Sequence, residues 1–200
     1  NIDENYLQVN LAEPQCQAAL HIEGASLILA GAGSGKTRTL TLKIAHLVSA
    51  HRVSPGRIFA VTFTNKAAAE MKSRLESLLG GRYYFPWMGT FHGTCVRLLR
   101  QILPQPTPGQ GGQLNARFSI FDDDDQKSLL RKILRGELGL EGSAGEIKVA
   151  KAVISKWKNK NIDPSQARKE AEFVDEIQFA EIYAAYQSYL GKNNALDFDD

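Results

Sequence analysis

The sequence predicts an α/β fold in which a parallel sheet is followed by a mostly helical second segment. Three observations lead to this prediction. Two short apolar runs, residues 26–30 and 58–63, are separated by one helical pattern at residues 36–50. A stretch rich in Pro and Gly, residues 104–113, ends this alternation, and mainly helical patterns follow it. Because a strand, a helix and a strand within about 40 residues form a crossover, the two strands are expected to be parallel.

The first segment is predicted to alternate helices and strands. Pro14 opens a short helix, since proline is tolerated in the first turn. The run at 26–30 lacks polar alternation, which is typical of a strand buried on both faces. Thr64 or Asn65 can cap the helix after the second strand, and Gly80 with its neighbour ends that helix. The predicted elements here are helices 14–22, 36–50, 66–79 and 91–103 and strands 26–30, 58–63 and 87–90.

The second segment is predicted to be helical. Residues 104–113 have no hydrophobic side chain, which is the composition of a linker. In the last helical pattern the apolar side chains fall on one face. That stripe consists of Phe179, Ile182, Tyr183, Tyr186 and Leu190. The predicted helices are 124–136, 146–158, 164–171 and 173–190.

The composition is that of an ordinary globular chain. Of 200 residues, 43% are apolar and 23% are charged, and the net charge is +2. This balance argues against a strongly basic nucleic-acid arm or a long acidic tail. No apolar stretch approaches the ~20 residues of a membrane helix, so no membrane association is expected. Cys16 and Cys95 suit neither a disulfide framework nor a zinc site, which favours the reducing cytoplasm.

Residues 30–37 fit the pattern of a phosphate loop, with Ala in place of the first Gly of the strict pattern. Small residues let the backbone curl around a phosphate, and the helix that follows adds its positive end. Lys36 would neutralise the β and γ phosphates of ATP, and Thr37 would complete the shell of a Mg²⁺ ion, so both are catalytic candidates. A glycine-rich turn that binds nothing is the alternative. The expected phosphate-binding residues are Ala30, Gly31, Ala32, Gly33, Ser34, Gly35, Lys36 and Thr37.

Further segments indicate which class of phosphate-loop protein this is. Residues 60–71 and 89–92, taken with the phosphate loop, closely resemble motifs Ia and Ib of the UvrD/Rep-type superfamily-one DNA helicases. Residues 11–18 look like the family's adenine-sensing Q motif. Residues 118–126 resemble the entry to its helical insertion, and residues 196–200 match the point where the chain returns. These landmarks fall in family order over essentially the whole chain.

The resemblance implies an ATP-dependent helicase that moves 3′ to 5′ along single-stranded DNA and acts at junctions with duplex. It implies a RecA-like domain with a partial parallel sheet over residues 1–107, a mostly helical inserted domain over 108–195 and a return at 196–200. The acidic motif that helps to hold Mg²⁺ would lie beyond Asp200. The chain is therefore expected to be an N-terminal fragment that is nearly inactive alone.

Individual residues take roles from the same resemblance. Gln15 would read the adenine edge through its amide, although Ala12 stands where the Q motif usually has Asn. Arg38 would lie against the nucleotide. Phe63 would stack on a base without reading sequence. The other implied DNA contacts are hydrogen bonds to the sugar-phosphate backbone from Thr62, Thr64, Asn65, Thr90 and His92.

Other interpretations compete with these roles. Taken alone, Phe63 would be a core residue, Asn65 a helix cap and His92 a structural histidine. Four aspartates at residues 122–125 suggest a metal site, but they fit a helix cap better because ligands of a hard cation must converge on one point. The lysines between residues 146 and 160 have the pattern of a solvated face. Through the resemblance, the candidates for duplex phosphate contacts are Lys156, Lys158 and Lys160, with Trp157 between them.

Two other functions remain open at this point. One is a nucleotide-dependent binding or scaffold module whose phosphate loop is a regulatory switch. The other is a helicase-nuclease subunit. An Asp-Glu pair after an apolar strand beyond Asp200 would favour the motor over the switch.

Overall fold

The computed structural model describes residues 1–106, 114–136 and 139–200. The predicted boundary between residues 107 and 108 therefore lies outside the described residues, as does most of the predicted linker. Among the helices of these three ranges, none has the length and apolar character needed to cross a membrane.

The chain divides into two compact units, Asn1–Arg97 and Leu98–Asp200. The elements that begin in the first unit are α1 (Glu4–Asn10), α2 (Glu13–Leu20), α3 (Lys36–Ser49), β1 (Ala60–Thr62), α4 (Asn65–Leu79), β2 (Met88–Thr90) and α5 (Phe91–Ile102). Asp3 caps α1, a helix that was not predicted, by accepting a hydrogen bond from Tyr6 N at 3.0 Å. Of the two predicted caps of α4, Thr64 takes the position.

A parallel sheet is confirmed for the pair β1 and β2. Ala60 lies opposite Met88 and Thr62 opposite Thr90, and α4 forms the crossover between the strands. The core of this unit packs α1 to α4 against the strands, and its largest fully buried side chains include Leu7, Met71 and Leu75. Parallel sheets hold their ligands at the carboxyl ends of the strands. Here β2 leads directly into α5, and two residues separate β1 from α4.

The predicted buried strand at residues 26–30 is wrong. All five residues are exposed and outside any strand, with Leu27 82% and Leu29 84% exposed. A strand with apolar side chains on both faces needs neighbouring strands and two covering layers. In the described part of the first unit the sheet consists of β1 and β2, and neither pairs with this segment. The second predicted strand, 58–63, is real but shorter.

The second unit is mostly helical, as predicted. After α5 its described residues form β3 (Ser119–Phe121), α6 (Asp123–Gly136), α7 (Ala144–Asn159), α8 (Pro164–Glu170), α9 (Val174–Lys192) and β4 (Ala195–Asp197). The four predicted helices are confirmed with small shifts at their ends. The parallel pair of β3 and β4 was missed, because two strands of three residues leave no periodic signal.

Two local features of this unit agree with the sequence. The stripe on α9 is confirmed, since Ile182, Tyr183, Tyr186 and Leu190 are buried and Phe179 packs beside them. The aspartate run forms the start of α6: Asp122 caps the helix, since its Oδ1 accepts from the backbone amides of Asp124 at 2.9 Å and Asp125 at 3.0 Å, and the other three aspartates lie in the first turn. No group of three or more His, Cys, Asp or Glu suited to a metal ion occurs among the residues that the structure describes.

Candidate functional site

The phosphate loop leads directly into α3 and depends on glycine at two positions. Gly33 (φ 74°) and Gly35 (φ 86°) lie in the left-handed region, which a residue with a Cβ rarely adopts. At Gly35 an added Cβ would also lie 2.8 Å from Gln15 Nε2. Ser34 closes the turn between them, because its Oγ donates to the carbonyl of Gly31 at 2.7 Å. The loop is therefore a folded turn whose shape is set by its own backbone.

Lys36 is the first residue of α3, and its exposed ammonium group points back along the loop. Its Nζ donates to the carbonyl oxygens of Ala30 at 2.8 Å and Gly31 at 2.6 Å. Thr37 and Arg38 are exposed in the same helical turn. A cationic residue and a hydroxyl-bearing residue thus occupy the first turn at the amide-rich end of α3, which is the chemistry that an anionic oxygen prefers.

Gln15 joins the Q-motif segment to the phosphate loop. Its Nε2 donates to the carbonyl of Ser34 at 2.8 Å, and its Oε1 accepts from the amide of Ala12 at 3.1 Å. Ala12 is the cap residue of α2 and has no side-chain acceptor for the helix amides, so this end of α2 keeps the half of a capping box in which Gln15 accepts from the cap amide. Each end of the amide makes one of the two hydrogen bonds open to it, so Gln15 keeps one N–H donor and one acceptor lone pair beyond these bonds.

A cleft of about 430 Å³ lies beside Arg38, between α1, α3 and α4. Sequence reasoning identified Arg38 alone among the residues of this cleft. Helix α1, which supplies two of the others, was not predicted, and no motif marks the positions on α4. The cleft is lined by Tyr6, Asn10, Arg38, Thr41, Leu42, Ser73, Arg74, Ser77 and Leu78.

The predicted DNA contacts come together at one edge of the β1 and β2 pair. Because Thr62 lies opposite Thr90, the residues that follow each strand are neighbours. Phe63 is 91% exposed, so its interpretation as a core residue is wrong. Asn65 and His92 are also exposed at this edge, each at the start of a helix.

The threonines of this edge have backbone partners. Thr62 Oγ1 donates to the carbonyl of Thr64 at 3.1 Å. Thr64 Oγ1 accepts from Ala67 N, and Thr90 Oγ1 accepts from Gly93 N, both at 3.2 Å. A hydroxyl group that accepts one bond keeps its own proton for another. Thr64 and Thr90 can therefore cap their helices and donate to an anionic oxygen at the same time.

Comparison of the chain with known proteins identifies its family. Residues 11–200 match the model of the UvrD/REP helicase N-terminal domain. The chain belongs to the UvrD/REP helicase family. It is 42% identical over 196 residues to a Staphylococcus epidermidis (strain RP62A) protein named ATP-dependent DNA helicase PcrA. A Staphylococcus aureus (strain Mu50) protein of the same name is 41% identical over 196 residues. Both alignments cover 98% of this chain and 26% of the relative, so the chain spans about a quarter of the length of these relatives.

One basic residue of this UvrD/REP family chain does not lie where the sequence suggested. Lys158 is a buried residue of the second unit, and its Nζ donates to Asp197 Oδ2 at 2.8 Å and Asp200 Oδ1 at 2.7 Å. Its assignment as a phosphate contact is therefore wrong. Trp157 stacks on Tyr183, with ring centroids 5.7 Å apart, within the same unit. The neighbouring candidates Lys156 and Lys160 are exposed.

The buried cluster around Lys158 includes a third polar partner. The Tyr186 hydroxyl donates to Asp197 Oδ2 at 2.8 Å. Burial opposes the ionisation of Asp197, but the hydrogen bond and charge of Lys158 hold the pKa of this carboxyl below its ordinary value. Burial and the neighbouring carboxylates raise the pKa of Tyr186, which keeps its hydroxyl a donor. The segment 195–200 is thus tied to α7 and α9 by a buried ionic network.

Proposed function

We propose that the whole protein is an ATP-dependent DNA helicase that translocates along single-stranded DNA, and that this chain supplies its first nucleotide-binding and DNA-binding surface. The observation that carries the proposal is the phosphate loop, with Lys36 exposed at the start of α3 and its ammonium donating to loop carbonyls. Membership of the UvrD/REP helicase family supports it, as do relatives whose printed names are those of ATP-dependent DNA helicases.

The residues of the loop fit a bound nucleotide. The ammonium of Lys36 reaches two neutral carbonyl acceptors at present, and phosphate oxygens would form stronger, charge-assisted bonds with it. We propose that residues 30–37 enclose the β and γ phosphates of ATP in a RecA-like fold. Thr37 would provide a hydroxyl ligand for Mg²⁺. When it is bound, this ion neutralises part of the negative charge of the phosphates.

The nucleoside part of ATP is proposed to contact Gln15 and Arg38. Gln15 already bonds to the loop at Ser34, and Arg38 lies in the first turn of α3 beside the cleft. A guanidinium plane can stack on an aromatic base, and an amide can donate and accept at a base edge. The cleft combines polar side chains with the apolar Leu42 and Leu78, a mixed lining that is compatible with a nucleoside.

The proposed DNA surface is the edge that follows β1 and β2. The exposed ring of Phe63 is proposed to stack on a base, while Thr62, Thr64, Asn65, Thr90 and His92 bond to the sugar-phosphate backbone. This set contains no side chain placed to read a base sequence, so binding is expected to be general for single strands. The 3′ to 5′ direction and the action at duplex junctions are part of the proposal through the family resemblance.

Replacement of Lys36 by alanine in the whole protein tests this function. We expect Lys36→Ala to lower DNA-stimulated ATP hydrolysis by about a hundredfold or more, because one preorganised cationic donor to the phosphates is lost. Binding of a single-stranded oligonucleotide, measured by fluorescence anisotropy, should be largely retained. The matched control is Lys192→Ala, an exposed lysine at the end of α9. Hydrolysis by Lys36→Ala at the rate of the control would contradict the proposal.

A further inference from the structure

Two phenylalanines stand together at the edge of the first unit. Phe63 follows β1 and is 91% exposed, and Phe91 follows β2 and is 47% exposed. Their ring centroids are 5.5 Å apart and the ring planes make an angle of 51°. Burial of large apolar side chains that are exposed side by side is favourable, so this pair favours a ligand that covers it.

The sheet register produces this pair. Thr62 and Thr90 are opposite each other in the parallel strands. Phe63 and Phe91 are therefore the next residues after two strands that run in the same direction. Thr64 and Thr90 then cap α4 and α5. The two rings are thus adjacent because the backbone is fixed on both sides of each of them.

The spacing decides what a ligand can do with this pair. A flat base placed between two rings needs about 7 Å between them, since each stacked contact takes about 3.5 Å. The observed 5.5 Å is too small and the planes are too far from parallel. These two rings therefore cannot enclose a base between them, but the ring of Phe63, which is 91% exposed, can stack on one base while it contacts Phe91.

We propose that Phe91 is a positioning residue that holds the ring of Phe63 in the orientation that accepts a base. This inference rests on the proposed binding of single-stranded DNA at Phe63. An isolated exposed ring samples several rotamers and loses that freedom when a base stacks on it. The contact with Phe91 restricts Phe63 before the DNA arrives, so less entropy is lost on binding.

A double-mutant cycle in the whole protein tests the proposal, with an oligo-dT strand that contains 2-aminopurine. Phe63→Ala should weaken binding by about 5- to 150-fold, the range for one base stacked on an aromatic ring. Phe91→Ala should weaken it by about two- to tenfold, the range for one aromatic pair. Because Phe91 acts through Phe63, the double variant should bind as weakly as Phe63→Ala alone.

The fluorescence of 2-aminopurine adds a readout that a change in general stability would not reproduce. Stacking quenches this base, so Phe91→Ala should leave part of the quenching and Phe63→Ala should abolish it. Phe91→Tyr keeps a ring and should restore both binding and quenching, whereas Phe91→Leu keeps an apolar side chain and should not. Phe173→Ala, which removes a 68% exposed ring in the second unit, is the matched control.

The outcomes separate this inference from the function on which it rests. If Phe63→Ala weakens binding and Phe91→Ala does not, Phe91 has no positioning role and only the inference is wrong. Effects of the two variants that multiply in the double variant would mean that Phe91 contacts DNA independently, which also overturns it. If Phe63→Ala itself binds like the wild type, the proposed DNA surface is wrong and the inference falls with it.

Discussion

Lys36 in the first unit and Lys158 in the second carry the same charge in opposite surroundings. Lys36 is exposed and donates to two neutral carbonyls of the phosphate loop. The Lys158 side chain is 3% exposed and is neutralised by Asp197 and Asp200. A ligand can reach the charge of Lys36, whereas the charge of Lys158 is paired with two carboxylates of the protein itself.

The difference shows why a lysine in a sequence pattern does not reveal its role. Removing a buried charge from its partners leaves carboxylates without compensation in a medium of low dielectric, so the partners fix each other in place. An exposed ammonium keeps its hydration and exchanges weak acceptors for strong ones at little loss. Lys158 is therefore expected to act on stability and Lys36 on ligand binding.

The largest expected effect is on the stability of the second unit. Lys158→Ala should lower its free energy of unfolding by about 3–5 kcal/mol, because Asp197 stays buried without its cation. Lys36→Ala should change the stability of the chain by less than about 0.5 kcal/mol, as is usual for an exposed position. Urea denaturation of the 200-residue chain measures each change with a reporter in the same unit. Trp157 in a Trp87→Phe background reports on Lys158→Ala, and Trp87 in a Trp157→Phe background reports on Lys36→Ala.

The control for this pair is Lys160→Ala, an exposed lysine two positions from Lys158. It should behave like Lys36→Ala. Equal stability of Lys158→Ala and Lys160→Ala would mean that the buried ionic network contributes nothing, and the contrast between the two units would disappear.

A smaller effect is expected where the phosphate loop depends on its backbone. Gly35→Ala should destabilise the first unit by about 1–2 kcal/mol, because a residue with a Cβ is strained at φ 86°. The new Cβ would also displace Gln15 Nε2, now 2.8 Å away, and break its bond to Ser34. Thermal unfolding followed by Trp87 fluorescence in a Trp157→Phe background measures the loss. Gly31→Ala is the control, since its Cβ would enter open space, and a similar loss there would contradict the explanation.

The smallest effect concerns pH. The folded pKa of Asp197 is below the ordinary value of 3.8 because Lys158 and Tyr186 outweigh the effect of burial. A carboxyl of this kind stabilises the fold above its unfolded pKa, and that contribution is lost as the pH falls through the folded pKa. The free energy of unfolding of the second unit should therefore decrease below about pH 4. Asp197→Asn should flatten that dependence in urea titrations from pH 6 to 3, and an unchanged slope would remove Asp197 as its source.

The sequence predicted the helices well and the strands poorly. Helices α3, α4, α6 and α9 carry their own signal, a periodic apolar face, and α4 and α6 also have recognisable caps at Thr64 and Asp122. A strand depends on partners elsewhere in the chain. The run at 26–30 therefore has a strand's composition without a strand's contacts, and β3 with β4 has the contacts without a pattern.

The candidate site divides in the same way. The phosphate loop was found because each of its residue types is needed within eight consecutive positions. The cleft beside Arg38 could not be predicted from the sequence, because α1, α3 and α4 contribute to it from distant positions, among them Tyr6 and Arg74. The pairing of Phe63 with Phe91 was also invisible, because it depends on the register of two strands.

By itself, the sequence determined the family, the presence of a phosphate-loop motif and the helical nature of the second unit, because these follow from residues that are close along the chain. Tertiary structure decided which charged side chains and aromatic rings are exposed to a ligand. It buried Lys158 against two carboxylates that lie about 40 positions further along the chain, and it left Lys36 and Phe63 exposed. The physical reason is that burial and pairing are properties of contacts between distant segments, which a linear pattern does not contain.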